Sequence, residues 1–202
     1  MNGCRAALST SDRERAAMSF RRRRGLPGMT DLTPSDTKNL DRYGDAPLTW
    51  SRARSALSGD PTADVTYFLG TCRPDGTPHA AGVGAQWLAG DLYFTSNAAA
   101  RKARDLAVNP RCTVSVRLPG IDLVLDGSAE RVTDPGLLEQ VAAGYREGGW
   151  PAEVDGDAVT APFSAPSAGP PPWQVYRFAF HTVVGVATVE PYGATRWRFD
   201  RG

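Results

Sequence analysis

The chain has 202 residues, 41% of them hydrophobic and 22% charged, which suits one folded domain with a full core and excludes a wholly disordered chain. The net charge of +1 hides an asymmetry: residues 1–29 carry seven arginines against two acids, +5, leaving −4 for the rest. A folded part of that sign lacks the basic face a nucleic-acid backbone needs, and no apolar run reaches the ~18 residues of a membrane helix.

Residues 1–45 are rich in Arg, Ser, Asp and Gly without apolar periodicity, and read as a disordered tail ahead of a folded domain at 46–202. No apolar stretch follows the arginines, so they do not form a secretory signal. The expectation is that Met29 is the true start and residues 1–28 are upstream sequence. A basic tail drawn to nucleic acid or membrane is the alternative.

"PLTWSRARSALSG" (47–59) predicts a short helix capped by Thr49, with Trp50, Ala53 and Leu57 inward and Gly59 as its end. The period then changes to that of strands. "VTYFLGT" (65–71), "HAAGVGAQWLA" (79–89) and "LYFTS" (92–96) follow one another across turns at Asp75-Gly76 and Gly90-Asp91. The small residues of the second leave room for close approach to its backbone.

"SNAAARKARDLAVNP" (96–110) predicts a helix with Ser96 and Asn97 as caps, Asn109-Pro110 as its stop, and Ala99, Ala103, Leu106 and Ala107 as a packing face. Arg101 and Lys102 then fall near its N-terminus, where the macrodipole makes each cation unfavourable by about 0.3–1 kcal/mol. Two readings stay open: an anion lies there, or both side chains point into water.

Two more strands are expected at 111–119 and 122–132, then a helix at 134–149 capped by Asp134 with Leu137, Val141, Ala142 and Tyr145 as its stripe. Residues 150–172, rich in Pro, Ala, Ser and Gly, are too long for a plain connection and read as a lid or loose segment bordering a substrate site, anchored by Trp150, Phe163 and Trp173. Strands at 173–189 and 195–199 close the chain. Hairpin-linked strands with a helix inserted after the third suggest a mainly β protein built as a small closed barrel.

Three cysteines without paired spacing suit a reducing, cytoplasmic setting, and two histidines far apart in sequence give no metal-ligand spacing. Asp91 and Asp122 read as solvent-facing, and no nucleophile–base set is evident.

The order of these pieces resembles the pyridoxamine 5′-phosphate oxidase-like flavin-binding split β-barrels over roughly residues 45–199. The resemblance rests on "YFLGTCRPDGTPHAAGV", "LYFTSNAAARKARDLAVNPRCTVSV", "DGSAERV" and "PPPWQVYRFAFHTVVGVATVEPYGATRWRF". It implies a split barrel, a homodimer, and FMN or the deazaflavin coenzyme F-420 as cofactor. The family's phosphate-holding step corresponds to Ala100-Arg101-Lys102-Ala103. The resemblance further implies cofactor contacts from His79, Ala80, Ala81, Gly82 and Val83, from Thr95 and Ser96, and from Arg198, with Trp197 either covering a ring face or plugging the core.

Two departures narrow it. The Arg-x-His that grips pyridoxamine phosphate is absent from "ATRWRF", and Asp122 stands near the family's flavin-bonding glutamine. The expected function is a flavin- or deazaflavin-dependent oxidoreductase acting on an unidentified small molecule. A non-catalytic cofactor- or haem-binding barrel is the alternative. A chain starting at Met29 is expected to keep the full-length melting temperature and cofactor affinity; a clear drop in either would show that the tail docks on the domain.

Overall fold

Alternation of inward apolar and outward polar residues builds the sheet of this protein. Its structure, a computed structural model, describes residues 32–59 and 65–201. The elements are β1 (Asp36–Asn39), α1 (Trp50–Ser58), β2 (Tyr67–Cys72), β3 (Pro78–Val83), β4 (Ala85–Leu88), β5 (Asp91–Ser96), α2 (Arg101–Val108), β6 (Arg111–Leu118), β7 (Ile121–Val132), α3 (Pro135–Glu147), β8 (Glu153–Asp155), β9 (Ala158–Thr160), β10 (Gln174–Ala187) and β11 (Ala194–Arg198). In β7, for example, Ile121, Leu123, Leu125 and Ala129 are buried while Val124 and Glu130 face out.

All ladders are antiparallel, in the order β1-β11-β10-β7-β6-β2-β3, with β5 also on β10 and β4 on β5. β10 pairs with β7 along its whole length but changes its other partner, from β5 over Gln174–Phe178 to β11 over Thr182–Val186. The expected closed barrel is corrected: the nine-stranded sheet forms no hydrogen-bonded ring. β3 and β4 are joined through Gly84 instead of pairing, because the expected single strand at 79–89 breaks there.

The partner change on β10 coincides with a bulge. The β10–β7 register slips between Phe180 and Thr182, leaving His181 as the extra residue. Opposite it stands Gly127, where a Cβ would collide with the Ala179 carbonyl oxygen and come within 2.7 Å of Phe180 Cα. Gly185 does the same service for packing, since a Cβ there would sit 2.8 Å from the Trp197 ring.

Trp197 lies 5.6 Å from Trp50, which packs at 4.7 Å on Phe199, so α1 plugs one end of the core with aromatic rings. The Thr49 hydroxyl makes no capping bond to α1. Arg52 instead fastens the helix, donating to the carbonyls of Pro191, Gly120 and Val189 at 2.6, 2.9 and 2.9 Å.

Three expectations change here. Residues 36–39, placed in the disordered tail, form the edge strand β1 on β11; residues 1–31, including Met29, lie outside the described residues. Residues 150–172 are not a loose lid. Residues 153–160 of this stretch form the β8–β9 hairpin, whose Val159 joins Ala152, Leu138, Val141, Ala142 and Trp173 in a second apolar cluster. Phe163 is 60% exposed and anchors nothing by burial, although its carbonyl accepts the Trp150 indole N–H at 2.6 Å. Asp91 is 4% exposed, its carboxylate held by Arg177 at 2.6 Å and by Arg201, whose guanidinium also covers the Phe180 ring. Asp122, by contrast, stays at the surface as expected, pairing with two nitrogens of Arg117 at 2.9 Å, a contact that holds its carboxyl below the ordinary value.

Gly127→Ala is expected to cost about 2–3 kcal/mol in chemical denaturation, because its Cβ meets backbone that has nowhere to go. Gly82→Ala, whose Cβ would only touch Thr66 at 3.5 Å, is expected to stay within about 0.5 kcal/mol of the wild type. Equal losses in both would remove the bulge argument.

Candidate functional site

The first turn of α2 is electrically unfinished. The helix begins at Arg101, not at Ser96, with Ala100 as its N-cap; no side chain caps it and no acid lies in its first turn. Asn97 is spent elsewhere: its Oδ1 accepts the Ala99 N–H at 2.8 Å and its amide donates to the Pro170 carbonyl at 2.7 Å. Among the described residues, no carboxylate lies within ion-pairing distance of Arg101 or Lys102. Arg101 is exposed, whereas Lys102 is half-buried and burial lowers its pKa from the ordinary lysine value. A half-buried cation on the positive end of a helix, with no counter-charge, is an arrangement that an anion would stabilise.

The inward face of α2 differs from the expected alanine stripe. Ala103, Asp105 and Leu106 are buried, while Ala99 and Ala107 are exposed. Asp105 accepts the Thr71 hydroxyl at 2.9 Å through one oxygen, and its other oxygen has no partner. That contact fixes α2 against β2, and the helix packs on β3 as well. Asp105 was hidden in the sequence because its position on the helix reads as polar surface.

β3 presents the expected small residues in two sets. Ala80 and Gly82 face outward and are exposed; His79, Ala81 and Val83 face the other way, His79 opposite Thr71. The neighbouring Gly84 has open space above its backbone, and Gly82 meets only the Thr66 methyl, at 3.5 Å from where a Cβ would stand. Thr95 and Ser96 end β5, which lies beside β3; Ser96 is buried with its hydroxyl donating to the Asn97 carbonyl at 3.2 Å. Half-buried Tyr145 donates its hydroxyl to the Gly84 carbonyl at 3.0 Å, and desolvation raises its pKa. Arg101, Lys102, Thr95, Ser96 and the β3 residues thus belong to adjoining elements.

The two C-terminal candidates do not join them. Trp197 is 1% exposed within the aromatic core, so it plugs the core and covers no ligand ring in this chain. Arg198 is exposed, in register with Thr182, Asp126, Thr113, Gly70 and Ala80 along one row of the outer face. Five strand spacings of ~4.8 Å separate it from β3, about 24 Å along the sheet.

Between these regions lies an open groove of about 1120 Å³. It is lined by residues of β2, β3, β6, β7 and β10, and both histidines of the chain, His79 and His181, reach it. Their separation in sequence concealed this, because antiparallel pairing and the bulge bring them together. Cys112 also lines the groove, but burial pushes its thiol up to about 12, which makes it a poor nucleophile. No group of three or more metal-ligating side chains occurs among the described residues, and no helix there is long and apolar enough to cross a membrane.

A sequence profile described as Pyridoxamine 5′-phosphate oxidase matches residues 62–187, a span that includes β3, β5, α2 and the groove. The chain belongs to the pyridoxamine 5′-phosphate oxidase family. Among solved structures, a haem-binding protein from Mycobacterium smegmatis is similar with a TM-score of 0.50 and 18% identity, over 74% of this chain and 58% of that one. An F-420 reductase is 23% identical over 64% of this chain and 94% of that one, with a TM-score of 0.45. A pyridoxamine 5′-phosphate oxidase-related, FMN-binding protein from Nostoc punctiforme is 17% identical over 75% of this chain and 86% of that one, with a TM-score of 0.46. A search of curated proteins finds no match. At these identities the first likeness shows the fold, and the mainly β architecture with few helices is that of the family.

Lys102→Met is expected to raise the melting temperature of the ligand-free protein, since it removes a charge that burial disfavours. The folded pKa lies below the unfolded one, so the penalty is present while Lys102 is charged and fades as pH rises through the folded pKa. The gap between variant and wild type should therefore narrow from neutral pH toward the ordinary lysine value of 10.5. A gap that is absent at neutral pH, or that widens on raising pH, would contradict this.

Proposed function

We propose that the protein is a flavin- or deazaflavin-dependent oxidoreductase, cytosolic and homodimeric, acting on a small molecule. The observation that carries the reading is the uncapped α2 N-terminus with half-buried, unpaired Lys102 beside Arg101. These residues fit the phosphate of FMN or F-420. The N–H groups of the first helical turn point at such an anion, Lys102 meets it as a point charge, and the Arg101 fork can take two oxygens.

When bound, the flavin or deazaflavin supplies the redox chemistry, and the protein binds and orients it. The exposed backbone at Ala80, Gly82 and Gly84 is where a flat ring can approach, and Thr95 and Ser96 end the strand leading to the phosphate turn. No side chain is assigned as a general acid or base. Pyridoxamine phosphate is not proposed as substrate, because the C-terminal strand offers no Arg-x-His to hold it.

The dimer is supported by the outer sheet face. Register sets Gly82, Phe68, Ser115, Val124, Val184 and Arg196 side by side, and Phe68, Val124 and Val186 are 51, 46 and 47% exposed. An apolar row of this kind, bordered by charges, fits a second copy of itself about a two-fold axis. A second copy also offers a route by which Arg198, five strands from β3 along the sheet, serves a cofactor there.

FMN is expected to bind the wild type about ten- to a hundredfold tighter than riboflavin, which lacks the phosphate, and Lys102→Ala should erase most of that difference. Riboflavin should be indifferent to the substitution. Equal FMN affinity in both proteins would dismiss the phosphate clamp. Loaded protein whose visible spectrum bleaches with reductant and returns with an added acceptor is an oxidoreductase; one that binds without any such cycle is the non-catalytic carrier.

A further inference from the structure

We propose that the groove lined by β2, β3, β6, β7 and β10 is a second ligand site, for an aromatic carboxylate, with Arg111 and His181 holding the carboxylate end. The groove shares His79 and Ala80 with the candidate flavin strand, but its polar end is built by β6, β7 and β10. The proposal therefore does not rest on the flavin reading.

The first argument is the bulge. An extra residue in β10 interrupts a ladder that otherwise runs unbroken along β7, and it requires glycine at 127. What the bulge achieves locally is orientation: His181 is left out of the β10–β7 register and lines the groove beside Asp126, Gly127 and Ser128. The His181 Nδ1 lies 3.1 Å from the Thr182 hydroxyl, which fixes the ring and leaves Nε2 free for a ligand.

The second argument is charge. Arg111 opens β6 opposite Ser128, its backbone N–H donating to Asn109 Oδ1 at 3.2 Å, and among the described residues its guanidinium has no ion-pair partner. Asn109, Ser128 and His181 line the groove with it, and the N–H and O–H groups of these four side chains suit a carboxylate. One acid, Asp126, also lines the groove, one row away opposite Thr113 and without an ion pair to Arg111.

The third argument is shape. Away from those four side chains the lining is small and mainly apolar, with Cys72, Pro78, Ala80 and Gly127, while Thr113 closes over Gly70. The groove is open and holds about 1120 Å³, more than the ~300–1,000 Å³ usual for small-molecule sites and ample room for a ring.

The test is calorimetric titration of benzoate, and of benzamide as its neutral isostere, into the full chain. Benzoate is expected to bind with heat that benzamide does not reproduce. Arg111→Gln and His181→Gln should each weaken benzoate about tenfold, as loss of a charge-assisted contact does. Asp126→Asn should tighten it by removing a like charge. Lys102→Ala should leave benzoate untouched while losing FMN, which separates failure of this site from failure of the cofactor reading. Circular dichroism confirms that each variant folds. Benzoate affinity equal to that of benzamide, or unchanged in both glutamine variants, overturns the proposal. So does weaker benzoate binding in Asp126→Asn.

Discussion

The structure depends on one strand that serves two half-sheets. β10 keeps β7 on one edge throughout, and on the other it exchanges β5 for β11. That exchange needs the strand to turn, and the turn is localised at the His181 bulge, where only a glycine at 127 lets the backbones pass. Without it, the core residues Phe178, Phe180 and Val183 could not all face inward, because a period of two would put one side of the break on the wrong face.

Once β10 is set, the rest follows from packing. The β11 half brings Trp197 over Gly185 and against Trp50 of α1, closing the main core with rings that only small residues can accommodate. The β5 half carries the second cluster, where α3 and the β8–β9 hairpin cover Tyr93 and Val175. Asp91 ties the halves at their border: its buried carboxylate takes Arg177 of β10 and Arg201 near the C-terminus. A buried acid of this kind contributes only because both cations and the low local dielectric are supplied together.

Against this rigid frame the functional features are the unfinished ones. α2 is locked by Asp105 and Leu106 on its buried face, while its first turn lacks both cap and counter-charge and Lys102 sits half-buried. The outer face is likewise incomplete, with an apolar row and a polar row running side by side across the strands. Local imperfections that cost stability and are held in place by surrounding structure are where ligands and partners contribute binding energy.

By itself the sequence determined the strands with clean alternation, the caps of α3 and the position of Arg101 and Lys102, since these depend on neighbours a few residues away. Asp134, for instance, accepts the Leu137 N–H as its spacing demands. What tertiary structure alone decided has another origin. β1 is polar on both sides and is a strand only because β11 offers it an edge. The β8–β9 hairpin is composed like a loop and is ordered by the cluster beneath it. Asp91 is charged in sequence yet buried, because two arginines 86 and 110 residues away pair with it. His79 and His181 share a groove through cross-strand register, and Trp197 is a core plug because Gly185 leaves it room. Each of these is a contact between residues far apart along the chain, and such contacts leave no periodicity for a sequence to display.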